Sequence, residues 1–277
     1  MLIDAHHHLW QYNDRDYVWM SGSMTALRRN FLIPDLQAVM RDSGVQGTVA
    51  VQARQTTEET DWLLGLSESH PALLGVVGWV PLVDPGVARE LDRFAASPKL
   101  RAVRHVLHDE PDDFYMLRDD FNRGVRLLQP RGLSYDILIF ERHLPQAIEF
   151  VDRHPRQVFI VDHIAKPRIR EGVVSPWKEN LARLAQRQNV YCKISGMATE
   201  ADWSTWTADQ LRPYFDAVLA AFGPRRLMFG SDWPVLTLAG SYRGWVDTFR
   251  SFIAELSENE REQISSGTAI QAYRLQV

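Results

Sequence analysis

The stretch LIDAHHH, residues 2–8, opens with apolar residues and closes with three histidines. The apolar lead predicts a β-strand, and a histidine tag is not indicated because a tag is normally a longer run in a polar context. Side chains on a strand alternate between its two faces. We therefore expect Asp4, His6 and His8 to share one face of this strand and His7 to point the other way.

Seven more short runs rich in β-branched residues follow along the chain. Nearly continuous hydrophobicity of this kind is typical of strands in a parallel sheet, because such strands are covered on both faces. The eight predicted strands are Leu2–His8, Val45–Ala53, Leu73–Val80, Leu100–Leu107, Ser134–Phe140, Val158–Ile164, Val190–Gly196 and Leu227–Pro234.

Amphipathic segments separate these runs and carry the signals of helix ends. Pro34 stands at the start of the first segment and Gly44 just after its end, as is typical of a helix. The predicted helices are Pro34–Met40, Thr57–Leu64, Pro85–Phe94, Asp120–Leu128, Leu144–Arg153, Trp177–Gln188, Ala208–Phe222 and Trp245–Leu256, of which Pro85–Phe94 has the weakest pattern. A further helix over Glu258–Leu275 should cover the barrel that these elements predict.

A strand followed by a helix, eight times over, predicts a single-domain (β/α)8 TIM barrel over residues 1–277. The alternative is a doubly wound open sheet, which usually has fewer strands and often carries G-x-G-x-x-G in its first turn, a motif that this chain lacks. One connection is unusually long. Leu9–Phe31 contains several aromatic residues, and loops of that length are usually functional or disordered, so we expect an ordered flap over the barrel mouth.

Composition excludes several classes of function. The net charge of −4 offers no basic stripe for nucleic acid, and no apolar run is long enough to cross a membrane. The start of the chain shows no secretory signal pattern, so a cytoplasmic protein, monomer or homodimer, is expected. The single cysteine, Cys192, excludes an intrachain disulfide and a cysteine-based zinc site.

Polar residues gather at the predicted carboxyl ends of the strands, where the active sites of such barrels lie. His6, His8, His163 and Asp232 form the predicted catalytic set, because all four stand at strand ends of one rim. Three histidines can hold one zinc ion with water in the open position, so the same four residues are the candidate metal ligands. Asp232 would take a proton from the attacking water and return it to the leaving group.

Other polar residues on the strands have simpler explanations. A lone strand histidine, such as His105 or His108, is more often a hydrogen-bonded core residue than a catalyst. Lys193 and Arg104 fit a structural ion-pair layer inside the barrel as well as they fit a site. Ser195 lacks the G-x-S-x-G context of a nucleophile.

These motifs resemble the amidohydrolase superfamily and, within it, the amidohydrolase-2 branch of sugar lactonases, which includes L-fuconolactonases and L-rhamnono-lactonases. The resemblance rests on Asp4-Ala5-His6-His7-His8, Asp162-His163 and Gly230-Ser231-Asp232-Trp233-Pro234, and spans the chain. Further matches are Val51-Gln52-Ala53-Arg54, Gly78-Trp79, Arg104-His105, Asp136, Phe140-Glu141-Arg142, Lys166-Pro167 and Lys193-Ile194-Ser195-Gly196. It implies a barrel, hydrolysis of a sugar lactone and Asp232 as general base. The fourth and fifth strands offer no lysine to bridge two metals, and some members of this branch need no metal, so one zinc ion is allowed but not required.

The predicted activity is the opening of an aldonolactone ester to the sugar acid. An activated ester needs only water, a base and a few donors to the carbonyl oxygen, for which Arg104, His105 and His163 are candidates. The residues predicted to bind substrate are Arg104, His105, Gln52, Arg54, Trp79, Glu141, Lys166, Ser195 and Trp233. Lactone isomerisation and metal-dependent decarboxylation of an aromatic acid are alternatives on the same rim, and a binding-only protein would require that rim to be inert.

Overall fold

The computed structural model describes residues 1–277, and it contains eight parallel strands that pair in chain order. Their bounds are β1 Ile3–His7, β2 Gly47–Val51, β3 Leu73–Gly78, β4 Leu100–Val106, β5 Ser134–Leu138, β6 Phe159–Val161, β7 Val190–Ile194 and β8 Leu227–Phe229. A parallel bridge between His7 and Trp233 joins the last strand region to the first. The predicted (β/α)8 barrel is therefore confirmed.

A helix follows each strand, in or close to each predicted segment. The helices are α1 Ile33–Ser43, α2 Thr57–Ser69, α3 Val87–Ala95, α4 Asp119–Val125, α5 Leu144–Asp152, α6 Trp177–Leu184, α7 Ala208–Phe222 and α8 Tyr242–Ile253. The weakest predicted segment, Pro85–Phe94, corresponds to α3, whose buried residues Val87, Leu91 and Phe94 lie on one face. No helix is long and apolar enough to span a membrane.

The end of the chain forms the expected cover, although it is not one regular helix. It consists of α9 Glu258–Glu262, a π-helical turn over Gln263–Gly267 and α10 Thr268–Tyr273. Ala272 and Tyr273 pack against inward-facing strand residues such as Ile3 and Val49. Because these contacts involve the starts of the strands, the segment closes the end of the barrel opposite the predicted site.

The barrel interior has a charged layer above this apolar floor. Arg104, Asp136, Asp162 and Lys193 are buried side by side, and each cation contacts at least one of the two carboxylates. Two positive and two negative groups balance one another, as buried charges must. Lys193 and Arg104 therefore do belong to an internal ion-pair layer.

The loop between β1 and α1 is ordered, as its aromatic content predicted. Trp10 and Phe31 form an antiparallel bridge at its base, with both N···O distances 3.0 Å. Trp10 is completely buried, and its Nε1 donates to the Arg29 carbonyl oxygen at 2.9 Å. Its ring also contacts Tyr17 and Trp19, so an aromatic cluster stabilises the loop.

The expectation that Asp4 shares a face with His6 and His8 is wrong, because β1 contains a β-bulge. The register with β2 shifts by one residue between Asp4 and His7. Ile3 and Ala5 therefore pack inside the barrel below the bulge, while His6 and His8 reach the interior above it. A bulge of this kind resets which side chains face inward.

Asp4 instead lies between the sheet and α8, where it accepts four hydrogen bonds. The donors are the His6 amide at 3.0 Å, the Ser231 amide and hydroxyl at 2.8 and 2.6 Å, and the Tyr242 hydroxyl at 2.9 Å. The Asp232 amide also donates to the His6 carbonyl oxygen at 2.8 Å. These contacts, here called the Asp4 junction, connect β1 to the turn after β8.

Replacing Asp4 with alanine should lower the free energy of unfolding by about 3 kcal/mol, because several buried donors lose their only acceptor. Urea unfolding followed by tryptophan fluorescence measures this change. Asp42→Ala is the matched control, since Asp42 is exposed on α1 and its loss should cost no more than about 0.5 kcal/mol. Equal unfolding midpoints for the two variants would contradict a structural role for the Asp4 junction.

Candidate active site

A cavity of about 320 Å³ lies at the carboxyl ends of the strands. Trp10, Trp19 and Met24 of the flap line it, so the loop after β1 covers the barrel mouth. Its other apolar residues are Ala53, Val106, Leu138 and Val235, and its polar residues are His8, Arg104, His108, Asp109, His163, Lys166 and Asp232. The cavity is therefore amphipathic, with a charged base.

The four predicted catalytic residues meet at this base. Asp232 Oδ1 lies 3.4 Å from His8 Nε2, 3.6 Å from His6 Nε2 and 3.8 Å from His163 Nε2. His6 is completely buried beneath His8, and the two Nε2 atoms are 3.2 Å apart. His7 is buried without a hydrogen bond on either ring nitrogen and does not line the cavity. One carboxylate oxygen thus faces three imidazoles.

Left-handed backbone places two of these side chains. His163, Ile164, Ala165 and Lys166 all have positive φ angles, between 47° and 62°, and Asp232 has a φ of 58°. Each such residue other than glycine costs roughly 1–2 kcal/mol. Strain of this kind persists where surrounding contacts fix it, and it is common at functional sites.

Contacts on both sides hold the left-handed turn after β6. The Trp177 indole donates to the Ile164 carbonyl oxygen at 2.7 Å. Gly196 packs directly on His163, and a Cβ at this glycine would lie 2.8 Å from the imidazole. The glycine is therefore required both by its own φ of 65° and by the position of His163.

Burial and charge set the protonation states of the cluster. Burial lowers the pKa of His163 to about 3 and holds the pKa of His6 well below its ordinary value, so both rings are neutral near neutral pH. Burial opposes ionisation of Asp232, but interactions with His163 and His8 outweigh it and hold the pKa of this carboxyl below its ordinary value. The cluster therefore contains an ionised carboxylate beside the neutral imidazoles of His6 and His163.

The second ring nitrogens of the histidines have different partners. His8 Nδ1 donates to the Val51 carbonyl oxygen at 2.8 Å, and its Nε2 faces His6 and Asp232. His163 Nδ1 shares a hydrogen bond with the Ser195 hydroxyl at 2.9 Å. His6 Nδ1 lies 3.1 Å from the Lys193 ammonium nitrogen.

Seven of the nine predicted binding residues do not line the cavity, and five of these seven are held by other partners. Alternation along β4 turns His105 outward because Arg104 points inward, and His105 then pairs with Glu110 and stacks on Tyr115. The Trp79 indole donates to the same histidine. Arg54 pairs with Asp16 at 2.6 Å, Glu141 pairs with Arg168 at 3.2 Å, and Trp233 packs against Phe31.

The other four predicted binding residues belong to the site or support it. Arg104 and Lys166 line the cavity. Ser195 supports His163 from behind, and Gln52 lies beneath Arg104, whose Nη2 donates to the Gln52 carbonyl oxygen at 2.6 Å.

Sequence reasoning also missed residues that the structure brings to the site. His108 lines the cavity and hydrogen-bonds to Asp109 at 2.7 Å. It lies in a short 3₁₀ turn over Leu107–Asp109 that follows β4, so strand alternation could not have placed it. Asp162 contacts Arg104 and Lys193 at 2.9 Å. As a carboxylate ending an apolar strand, it carried the same signal as its neighbour His163. Met24 and Val235 gave no signal, since apolar residues in connections are common.

The donor atoms at the base have the spacing of a metal site. His6 Nε2, His8 Nε2 and Asp232 Oδ1 are separated by 3.2, 3.4 and 3.6 Å. Ligands about 2.0–2.2 Å from a tetrahedral zinc ion lie about 3.4 Å from one another, so these three residues fit a divalent ion. A second grouping, His6, Asp162 and His163, is less suitable because both oxygens of Asp162 already contact cations.

Comparison with known proteins identifies the family of this chain. The Amidohydrolase family profile matches residues 3–275. The chain is 40% identical to an L-fucono-1,5-lactonase of Burkholderia multivorans, over 99% of this chain and 96% of the relative, and 36% identical to an L-fucono-1,5-lactonase of Burkholderia ambifaria, over 99% and 95%. The crystal structure of a Burkholderia multivorans amidohydrolase with bound zinc superposes with a TM-score of 0.97, at 38% identity and full coverage of both chains. This chain therefore belongs to the amidohydrolase family.

Proposed function

We propose that this protein is a lactonase that hydrolyses a 6-deoxy aldonolactone, of the L-fucono-1,5-lactone type, to its sugar acid. The observation that carries the proposal is one ionised carboxylate, Asp232, surrounded by three histidines at the base of a covered cavity. A volume of about 320 Å³ suits one sugar ring. The lactonase names of the Burkholderia relatives support the same substrate class.

The chemistry requires a base beside an electrophilic carbonyl. Asp232 accepts a proton from water as the water attacks the lactone carbonyl carbon, and the proton then goes to the departing ring oxygen. Arg104 and His163 line the same cavity as Asp232 and are the candidate donors to the developing oxyanion. His105 has no part in this step, because its ring faces Glu110 and Tyr115.

A divalent ion is compatible with this scheme. His6, His8 and Asp232 would hold it, and it would act as a Lewis acid on the substrate. The residues in contact with the sugar would then be the remaining cavity residues. His108, Asp109 and Lys166 suit hydroxyl groups, while Trp19, Met24 and Val235 suit the methyl group of a 6-deoxy sugar. The hydrolysis of a sugar lactone proposed here would serve the catabolism of carbohydrates in the cytoplasm.

A panel of aldonolactones tests the activity directly. Hydrolysis releases one proton, which a pH indicator detects after subtraction of the spontaneous rate, and NMR of the product distinguishes hydrolysis from migration of the lactone ring. L-fucono-1,5-lactone should be among the best substrates. Absence of turnover on every aldonolactone, with and without added zinc, would contradict the proposal and leave the decarboxylase or binding-only alternatives.

Asp232→Asn should lower kcat at least about 10²- to 10⁴-fold, the range that general acid–base assistance supplies. The substitution is nearly isosteric, so circular dichroism and product binding should be preserved. Asp109→Asn changes another cavity carboxylate, one outside the histidine cluster, and it should raise KM more than it lowers kcat. Wild-type turnover in Asp232→Asn would exclude this residue as the base.

The pH profile follows from the lowered pKa of Asp232. A carboxyl whose pKa lies below its ordinary value stays ionised at lower pH, so kcat/KM should remain level from about pH 8 down to about pH 5. The imidazole of His163, whose pKa is about 3, does not gain a proton in this range either. A loss of activity with a midpoint near pH 6 in the wild type would be inconsistent with these protonation states.

Trp19→Ala tests the flap. Trp19 lines the cavity and is 37% exposed, so its loss should raise KM about tenfold. The lost ring contact with Trp10 should lower the free energy of unfolding by only about 1 kcal/mol. Its neighbour Val18 is 80% exposed and does not line the cavity, which makes Val18→Ala the control. Equal KM values for the two variants would show that the flap does not contact substrate.

A further inference from the structure

The polar wall of the cavity after β4 is a single short turn. Leu107–Asp109 form one 3₁₀ turn, which the Glu110 amide closes by donating to the Leu107 carbonyl oxygen at 3.3 Å. His108 and Asp109 of this turn line the cavity and contact each other at 2.7 Å. A 3₁₀ turn of three residues has little stability of its own. Contacts outside the turn must therefore fix the direction of its two polar side chains.

Glu110 ends the turn and ties it to the barrel. Its Oε1 lies 2.6 Å from Nε2 of His105, on the outward side of β4. Pro111 follows, and a residue before proline is restricted to extended backbone, which Glu110 adopts with φ -67° and ψ 135°. The next side-chain anchor along this connection is Asp113, which accepts from His143 at 2.8 Å. Beyond the turn, Glu110 is thus the anchor closest to the residues that line the cavity.

His105 is itself fixed from other directions. The Trp79 indole donates to His105 Nδ1 at 3.3 Å. Since an indole nitrogen can only donate, Nδ1 carries no proton and the Nε2–H group donates to Glu110. The ring stacks on Tyr115, with 5.1 Å between the centroids and 6° between the planes. The hydroxyl of Thr60 on α2 fixes Trp79 by contacting its amide nitrogen and its carbonyl oxygen, both at 2.8 Å. A continuous series of contacts therefore runs from α2 to the turn.

We propose that His105 is a positioning residue that acts through Glu110 to fix the turn Leu107–Asp109, and so sets the affinity for the substrate hydroxyl groups that this turn contacts. His105 does not line the cavity, so it contributes no contact of its own to the sugar. The inference rests on the proposed function, which assigns His108 and Asp109 to the hydroxyl groups of a lactone.

Two substitutions of Glu110 separate its hydrogen bond from its charge. Glu110→Met removes both, whereas Glu110→Gln removes only the charge, because the amide oxygen still accepts from His105. Glu110→Met should raise KM for the best aldonolactone about three- to tenfold, the effect of one net hydrogen bond. Its kcat should stay within about twofold of the wild type, because the reacting groups are elsewhere. Glu110→Gln should keep the wild-type KM.

Asp112→Asn is the matched control for the loss of charge. Asp112 is an exposed carboxylate of the same connection, and it accepts from the Phe114 amide rather than from His105. This variant should keep the wild-type KM. His105→Phe breaks the bond to Glu110 from the other side and retains a ring against Tyr115, so it should raise KM as much as Glu110→Met does. Equal KM values for Glu110→Met and Asp112→Asn would overturn the proposal, and so would a KM for Glu110→Gln as high as that of Glu110→Met.

Hydrogen exchange followed by mass spectrometry examines the turn without any substrate. The peptide over residues 106–113 should exchange faster in Glu110→Met and His105→Phe than in the wild type and the other two variants, while the strands keep their wild-type rates. If circular dichroism shows that His105→Phe does not fold, the Glu110 variants decide the proposal.

The two measurements distinguish a failure of this inference from a failure of the proposed function. Faster exchange in a protein that opens no aldonolactone would contradict the proposed function and support the role of His105 in fixing the turn. Unchanged exchange in Glu110→Met, in a protein that does open a lactone, would contradict the role of His105 alone.

Discussion

The Asp4 junction is the constraint on which the site depends. A buried carboxylate with four donors around it has little freedom, because moving away would leave it without solvent or partners. Its donors come from β1, from the turn after β8 and from α8. The same contacts that close the barrel therefore fix His6 and Asp232 relative to each other, although Asp4 itself lies outside the cavity.

A chain of buried hydrogen bonds and ion pairs connects the closed end of the barrel to its open end. The Tyr273 hydroxyl of the C-terminal segment donates to Asp136 at 2.6 Å, Asp136 pairs with Lys193, and Lys193 contacts His6. None of these groups can reach water, so each orientation is determined by its neighbours. The covering segment is thus part of the network that supports the site.

The site also concentrates unfavourable backbone conformations in two turns. Four consecutive residues with positive φ angles follow β6, and Asp232, which follows β8, also has a positive φ angle. Packing of Trp177 and Gly196 around the first turn shows how the fold maintains it. As a result, His163 and Asp232 come from different strands of the rim, and His163 Nε2 lies 3.8 Å from Asp232 Oδ1.

The sequence by itself determined the barrel. Its eight apolar runs and the amphipathic segments between them are local patterns, and each can be recognised within a short stretch of the chain. It also indicated that His6, His8, His163 and Asp232 share a rim, since strand ends are visible in the same pattern. It could not reveal the bulge that turns Asp4 outward, because one extra residue in a strand is settled by pairing with its neighbour. Which rim residues line the cavity was likewise decided by tertiary structure. Arg54, Glu141 and Trp233 contact partners far along the chain instead, and His108 reaches the cavity from the 3₁₀ turn after β4. Ion pairs and packing across the barrel act between residues tens of positions apart, and no local pattern records them.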